Sequence, residues 1–109
     1  MTVKELTELK VFNELSLPEP DKTVEGAYIG DLLSWVMGRA SANDAWITIM
    51  TNVNILAVAT LADVACIILA EGTEIDRELI ATAKEKGVNV LSSKLSSYGI
   101  ARELSALGI

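Results

Sequence analysis

The sequence predicts an α/β fold, a three-layer arrangement in which a mostly parallel sheet carries flanking helices, within a single domain over residues 1–109. Three observations carry this expectation. Short apolar runs rich in β-branched residues ("VEGAYIG", "WITIM", "VACIIL", "VNVL") alternate with segments of helical periodicity. The run from Val64 to Leu69 is continuous and apolar, as suits a strand covered on both faces. The 109 residues, 50% of them hydrophobic, suffice for one compact core and leave no room for a second.

The elements follow in order. Thr2 is placed to cap a short helix to about Leu9, with Val3, Leu6 and Leu9 on one face, and "KVFN" follows as a short strand. "ELSLPEPDKT" holds Pro18 and Pro20, which break helix and central strand alike, and reads as a surface loop. Val24 to Gly30 is a strand, and "DLLSWVMG" is a helix for which Asp31 is the expected cap and Gly38 the expected stop. "WITIM" is the next strand. "TNVNILAVATLAD" then sets Val53, Leu56, Ala57 and Thr60 at helical spacing, with Thr51 or Asn52 as cap.

After the Val64–Leu69 strand comes the best-marked helix. Thr73 with Asp76 makes a variant capping box, Ile75, Leu79, Ile80 and Ala83 line one face, "KEK" loads the last turn, and Gly87 stands at the stop. "VNVL" is a strand, "SSKLS" a turn, and "SYGIARELSAL" a last helix with Ile100, Leu104 and Leu107 on its inner side.

Composition narrows the function. The net charge of −6, with no basic cluster, disfavours nucleic acid and anionic membrane surfaces as partners. The one cysteine, Cys66, lies in an apolar run and reads as a buried small hydrophobe, which fits a reducing cytoplasm. Asn54 and Asp63 interrupt the apolar runs and the N-terminus is charged, so neither a signal peptide nor a spanning helix is expected.

In such folds ligands sit beyond the carboxyl ends of the strands. The candidates there are Asp31, Thr51, Asn52, Gly72, Thr73, Ser92 and Lys94, each group preceding a helix start whose N–H donors suit a phosphate or carboxylate. Capping explains most of the same residue types without any ligand. No metal or other cofactor is expected, because Asp31 and Glu71 are carboxylates without a histidine beside them. The chain has no histidine and no phosphate loop, so no catalytic set is visible and no enzyme activity is expected. "LLSWVM" is apolar nearly all round, which marks Leu32, Trp35 and Val36 as an interface and hints at a homodimer.

The stretch from "YIGDLLSWVM" through "AWITIMTNVNILAVA" to "AEG", followed by "AKEKGVNVLSS", resembles the DRTGG-domain group. That group is similar to the N-terminal domain of HPr kinase/phosphorylase and shares its fold with the N-terminal domain of Mur ligases. The resemblance extends over about residues 2 to 105. It implies a small, non-catalytic prokaryotic module that serves dimerisation or regulation. The kinase chemistry of HPr kinase belongs to another domain. Where the family's naming residues are Asp-Arg this chain has Thr51 and Asn52, and where they are Thr-Gly-Gly it has Ala70, Glu71 and Gly72. Only Gly72 carries over, and a carboxylate replaces a cation at the rim.

Two functional expectations result. One is a non-catalytic regulatory or protein-interaction module, acting as a homodimer or docked to an enzyme partner. The other is a small-molecule sensor that holds a nucleotide or metabolite at the strand-end rim through Asn52, Thr73, Ser92 and Lys94.

Overall fold

The computed structural model of the protein describes residues 1–109. In chain order the elements are α1 (Val3–Thr7), β1 (Asn13–Ser16), β2 (Gly26–Ile29), α2 (Leu33–Arg39), β3 (Asp44–Thr48), α3 (Asn54–Ala62), β4 (Cys66–Leu69), α4 (Arg77–Lys86), β5 (Val90–Ser92) and α5 (Ser97–Ala106). The strands form one sheet in the order β1-β5-β4-β3-β2. β2 to β5 run parallel, and β1 joins β5 antiparallel.

The layers follow from connection handedness. Three successive parallel connections step the same way across the sheet, so right-handed crossovers set α2, α3 and α4 on one face. Their Val36, Ile55, Leu56, Leu79 and Ala83 pack on Trp46, Ile67 and Leu69. On the other face Val3 and Leu6 of α1 and Ile100 and Leu104 of α5 cover Ile47, Cys66, Ile68 and Leu91. Alternate β4 residues enter opposite cores, so Val64–Leu69 is apolar throughout and the three-layer α/β expectation holds. No helix is long and apolar enough to cross a membrane.

Several elements start elsewhere than the sequence suggests. The first strand is Asn13–Ser16, beginning at the last residue of "KVFN"; Phe12 is instead buried in the core under α1. Its position is set by long-range bonds: Ser16 Oγ donates to the Val88 carbonyl at 2.9 Å. The Pro18–Pro20 loop is likewise held, because buried Asn89 donates to the Glu19 and Ala65 carbonyls at 2.7 and 3.0 Å and accepts from the Glu19 N–H at 2.9 Å.

Thr2 and Glu5 form a reciprocal capping box on α1, and these bonds hold the Glu5 carboxyl below its usual pKa. Asp31 does not cap α2. Leu32 occupies that position with no side-chain bond, and Gly38 lies inside the helix, which runs to Arg39. α3 begins at Asn54 with Val53 at the cap position; Thr51 makes no bond to the helix start, while the Asn52 side chain accepts from the first helical N–H, that of Asn54. Its buried stripe is Ile55, Leu56, Val58 and Ala59, leaving Val53, Ala57 and Thr60 exposed. A helix apolar on so many sides gives spacing little power to choose the inner one. α4 starts at Arg77, capped by Asp76 through the Leu79 N–H at 2.8 Å, and not at Thr73. The reason is the turn before it, where Glu71 and Gly72 both have left-handed φ, 66° and 61°. Gly87 ends α4 and Ser96 caps α5, but Leu107 lies past the helix and is exposed.

Candidate functional site

The connection after β4 leads to one face of the sheet and the connection after β5 to the other. Their carboxyl ends therefore form the switch point at which an open α/β sheet has its crevice. Gly72, Thr73, Ser92 and Lys94 gather here. The donors at this crevice, however, already serve one another: the Glu71 N–H donates to the Leu95 carbonyl at 2.8 Å and the Gly72 N–H to the Ser93 carbonyl at 2.9 Å. Buried Ser93 accepts from the Leu95 N–H at 3.1 Å. A Cβ on Gly72 would touch the Lys94 stem at 3.8 Å, so the lysine lies across the turn with its ammonium at the surface. Thr73 Oγ is buried with no partner.

The remaining candidates stand apart. Asp31, at the end of β2, is three strand spacings or about 14 Å from the end of β5. Its carboxylate accepts from Thr48 Oγ at 2.7 Å and from the Ile49 N–H at 3.0 Å, latching the β2 turn to the β3 turn. Thr48 Oγ also accepts from the Met50 N–H at 3.2 Å. Asn52 accepts from the Asn54 N–H at 3.0 Å within its own turn. Thr51 borders a shallow depression shared with Glu74, Ile75 and Asp76, whose two acids repel an anion.

Of the interface candidates, Leu32 and Trp35 are 57% and 53% exposed. Val36 is completely buried and belongs to the core, because it is the α2 residue that points at the sheet. Arg39 stacks on Trp35 with its guanidinium 3.8 Å from the ring centre. Leu33 and Ala40 pack into the core with Val36, and Leu32, Trp35 and Arg39 lie on a flank of α2 turned away from it. Ile29 and Ile49 are also 49% and 47% exposed, but Ile29 lies beside Ile47 of the α1/α5 core and so faces the other side of the sheet from α2. Sequence reading missed both, since each sits in an apolar strand run that looks like core. A separate apolar groove of about 520 Å³ runs between α3 and α4, lined by Val53, Ala57 and Leu61 with Lys86 at its rim.

The model of the DRTGG domain matches residues 21–107, most of the chain. The chain belongs to the DRTGG domain family. The match begins before β2, so α1 and β1 lie outside it, a narrower span than the resemblance over residues 2 to 105. No curated protein matches the chain. Among solved structures it is similar to the CBS and DRTGG domains of the regulatory region of Clostridium perfringens pyrophosphatase, crystallised with the activator diadenosine tetraphosphate. That likeness has a TM-score of 0.68 at 19% identity and covers 93% of this chain and 44% of that one, so this chain spans less than half of its length. At this identity the likeness is one of fold.

Proposed function

We propose that this DRTGG chain is a non-catalytic regulatory module that works by protein association, with Leu32 and Trp35 on the outer flank of α2 as its contact residues. The observation that carries the reading is the exposure of Leu32 and Trp35, two large apolar side chains more than half exposed on a flank of α2. Its setting in this reading is the prokaryotic cytoplasm, where the module regulates an attached or docked enzyme, as the regulatory region in the pyrophosphatase does. Sedimentation velocity tests it: Leu32→Lys and Trp35→Ala weaken self-association or binding of an enzyme partner while the fold is retained. A native chain that is monomeric throughout and retains no partner would sink the reading.

A second reading has one supporting observation, the diadenosine tetraphosphate held by the structural neighbour. In it Lys94, Gly72 and Thr73 bind a nucleotide phosphate at the β4/β5 crevice, with the unpaired Thr73 hydroxyl as one donor. The first reading ranks higher because the backbone donors at that crevice are already engaged and Glu71 stands beside it. Titration calorimetry with ATP and diadenosine tetraphosphate decides: heat that disappears in Lys94→Ala favours the sensor, and no heat from the native chain excludes it for these ligands.

A further inference from the structure

We infer that the α1–β1 turn and the β5–α5 turn together form a pocket for a phosphoryl dianion, held between Lys10 and Lys94, and that its ligand is the phosphate of a small phosphorylated metabolite. The pocket is independent of the association reading. With the crevice of the second reading it shares only Lys94, because the crevice lies on the β4 side of β5 and this pocket on the β1 side.

Register brings the two lysines together. β1 runs antiparallel to β5 with Asn13 opposite Ser92, so the chain entering β1 passes alongside the chain leaving β5. The turn Leu9–Phe12 is closed by the Phe12 N–H on the Leu9 carbonyl at 3.2 Å and anchored by the buried Phe12 ring, and it carries Lys10 and Val11 at its tip. Lys10, Val11 and Asn13 thereby line one cavity of about 320 Å³ with Ser93, Lys94 and Leu95. The lysines come from opposite ends of the sequence, so no basic cluster shows when the chain is read linearly.

The lining is short of acceptors and rich in free donors. Neither ammonium is paired, since the chain's one salt bridge joins Lys22 to Asp63, and no carboxylate lines the cavity. In a chain of net charge −6 this is a local reversal of sign. The N–H groups of Lys10, Val11 and Lys94 donate to no protein acceptor, in contrast to the engaged Glu71 and Gly72 N–H groups of the crevice. Ser93, only 1% exposed, accepts from the Leu95 N–H through a hydroxyl whose own proton has no acceptor. A buried hydroxyl with its donor capacity open is matched by a phosphoryl oxygen. Two ammonium groups suit a dianion better than a monocarboxylate, and lysine binds phosphate as a point charge without a fixed fork. The volume stands at the small end of ligand sites, so it fits a phosphate with a few carbons and does not enclose a dinucleotide. Lys10 and Asn13 precede residue 21, outside the DRTGG match, so the site depends on a segment that the family model does not include.

The experiment is an amide NMR titration of the full chain with inorganic phosphate and with glycerol phosphate, using glycerol as the neutral control and sodium chloride at matched ionic strength. The expected result is saturable shifts of the Lys10, Val11, Ser93, Lys94 and Leu95 amides with both phosphoryl compounds and none with glycerol. Lys10→Met and Lys94→Met keep the stem and remove the charge, and each weakens binding about tenfold or more. If either variant does not fold, the shift map of the native chain decides alone. Tighter binding of glycerol phosphate than of inorganic phosphate supports the metabolite; the reverse order keeps the dianion pocket and overturns the metabolite as its ligand. No saturable shift, or the same shifts with sodium chloride, overturns the pocket. Shifts centred on Gly72 and Thr73 that vanish in Thr73→Val and persist in Lys10→Met overturn it in favour of the β4/β5 crevice.

Discussion

The two edges of this sheet are built on opposite principles. At the β1 edge the strand runs antiparallel, carries Glu14, shifts register between Glu14 and Ser16, and leads into the Pro18–Pro20 loop. Asn89 and Ser16 then fix that loop and strand to residues about seventy positions away. At the β2 edge the four residues are uncharged and unbulged, and the nearest long-range side-chain bonds, those of Asp31, hold only the turn that follows. One edge is tied down by polar side chains, and the other is a short uncharged strand. A domain that protects one edge so fully shows what the bare edge lacks.

Mutations separate the two. Asn89→Ala has the largest expected effect on stability, because it leaves two buried or half-buried carbonyls and the Glu19 N–H without partners, a loss of about 2–4 kcal/mol in urea unfolding. Sedimentation of that variant, while folded, remains as in the native chain.

The central strand reports on both edges. Cys66, fully buried in β4, has its thiol pushed up to about pH 12 by desolvation, against 9.0 in the unfolded chain. The folded state keeps a proton that the unfolded state releases, so this contribution to stability is intact below pH 9 and is lost as pH rises toward about 12. Alkylation at mildly alkaline pH is accordingly limited by unfolding. Asn89→Ala accelerates it and Leu32→Lys leaves it unchanged, which thiol labelling followed by mass spectrometry will read.

Thr48→Val breaks the Asp31 latch and unbinds the Met50 N–H, for about 1–2 kcal/mol by thermal melts, and loosens the turn between β3 and α3. Leu32→Lys is the smallest in stability, within about 0.5 kcal/mol, because its side chain is mostly exposed. It acts instead on association, and a variant equally altered in both measurements would erase the distinction between the edges.

Much of this architecture was legible from residues whose effects are local. The Thr2 cap on α1, Gly87 at the end of α4 and the uninterrupted Val64–Leu69 run each act through neighbours in sequence or through plain burial. Some misplacements were local, such as the Glu71–Gly72 turn that delays α4, and others were tertiary. β1 starts at Asn13 because of Ser16 and Asn89, and Asp31 abandons the helix start for a hydroxyl on the next strand. Val36 and Trp35 are adjacent and both apolar, so composition marked them together, while the helix turn sends one to the core and the other to the surface. The rim failed as a set for a similar reason. Sequence places candidates after each strand, but strand order decides that Asp31 and Lys94 stand at opposite sides of the parallel block.

The partnership of β1 with β5 also sets a timetable. The first strand to leave the ribosome can find its neighbour only after the last strand has emerged, since Ser16 waits for Val88, 72 residues later. Until then "FNELSL" is an extended segment without a ladder, while β2, β3 and β4 can assemble in sequence through their short crossovers. Long-range closure of this kind slows folding, and it makes the finished β1 edge a late event, completed after the parallel block has formed.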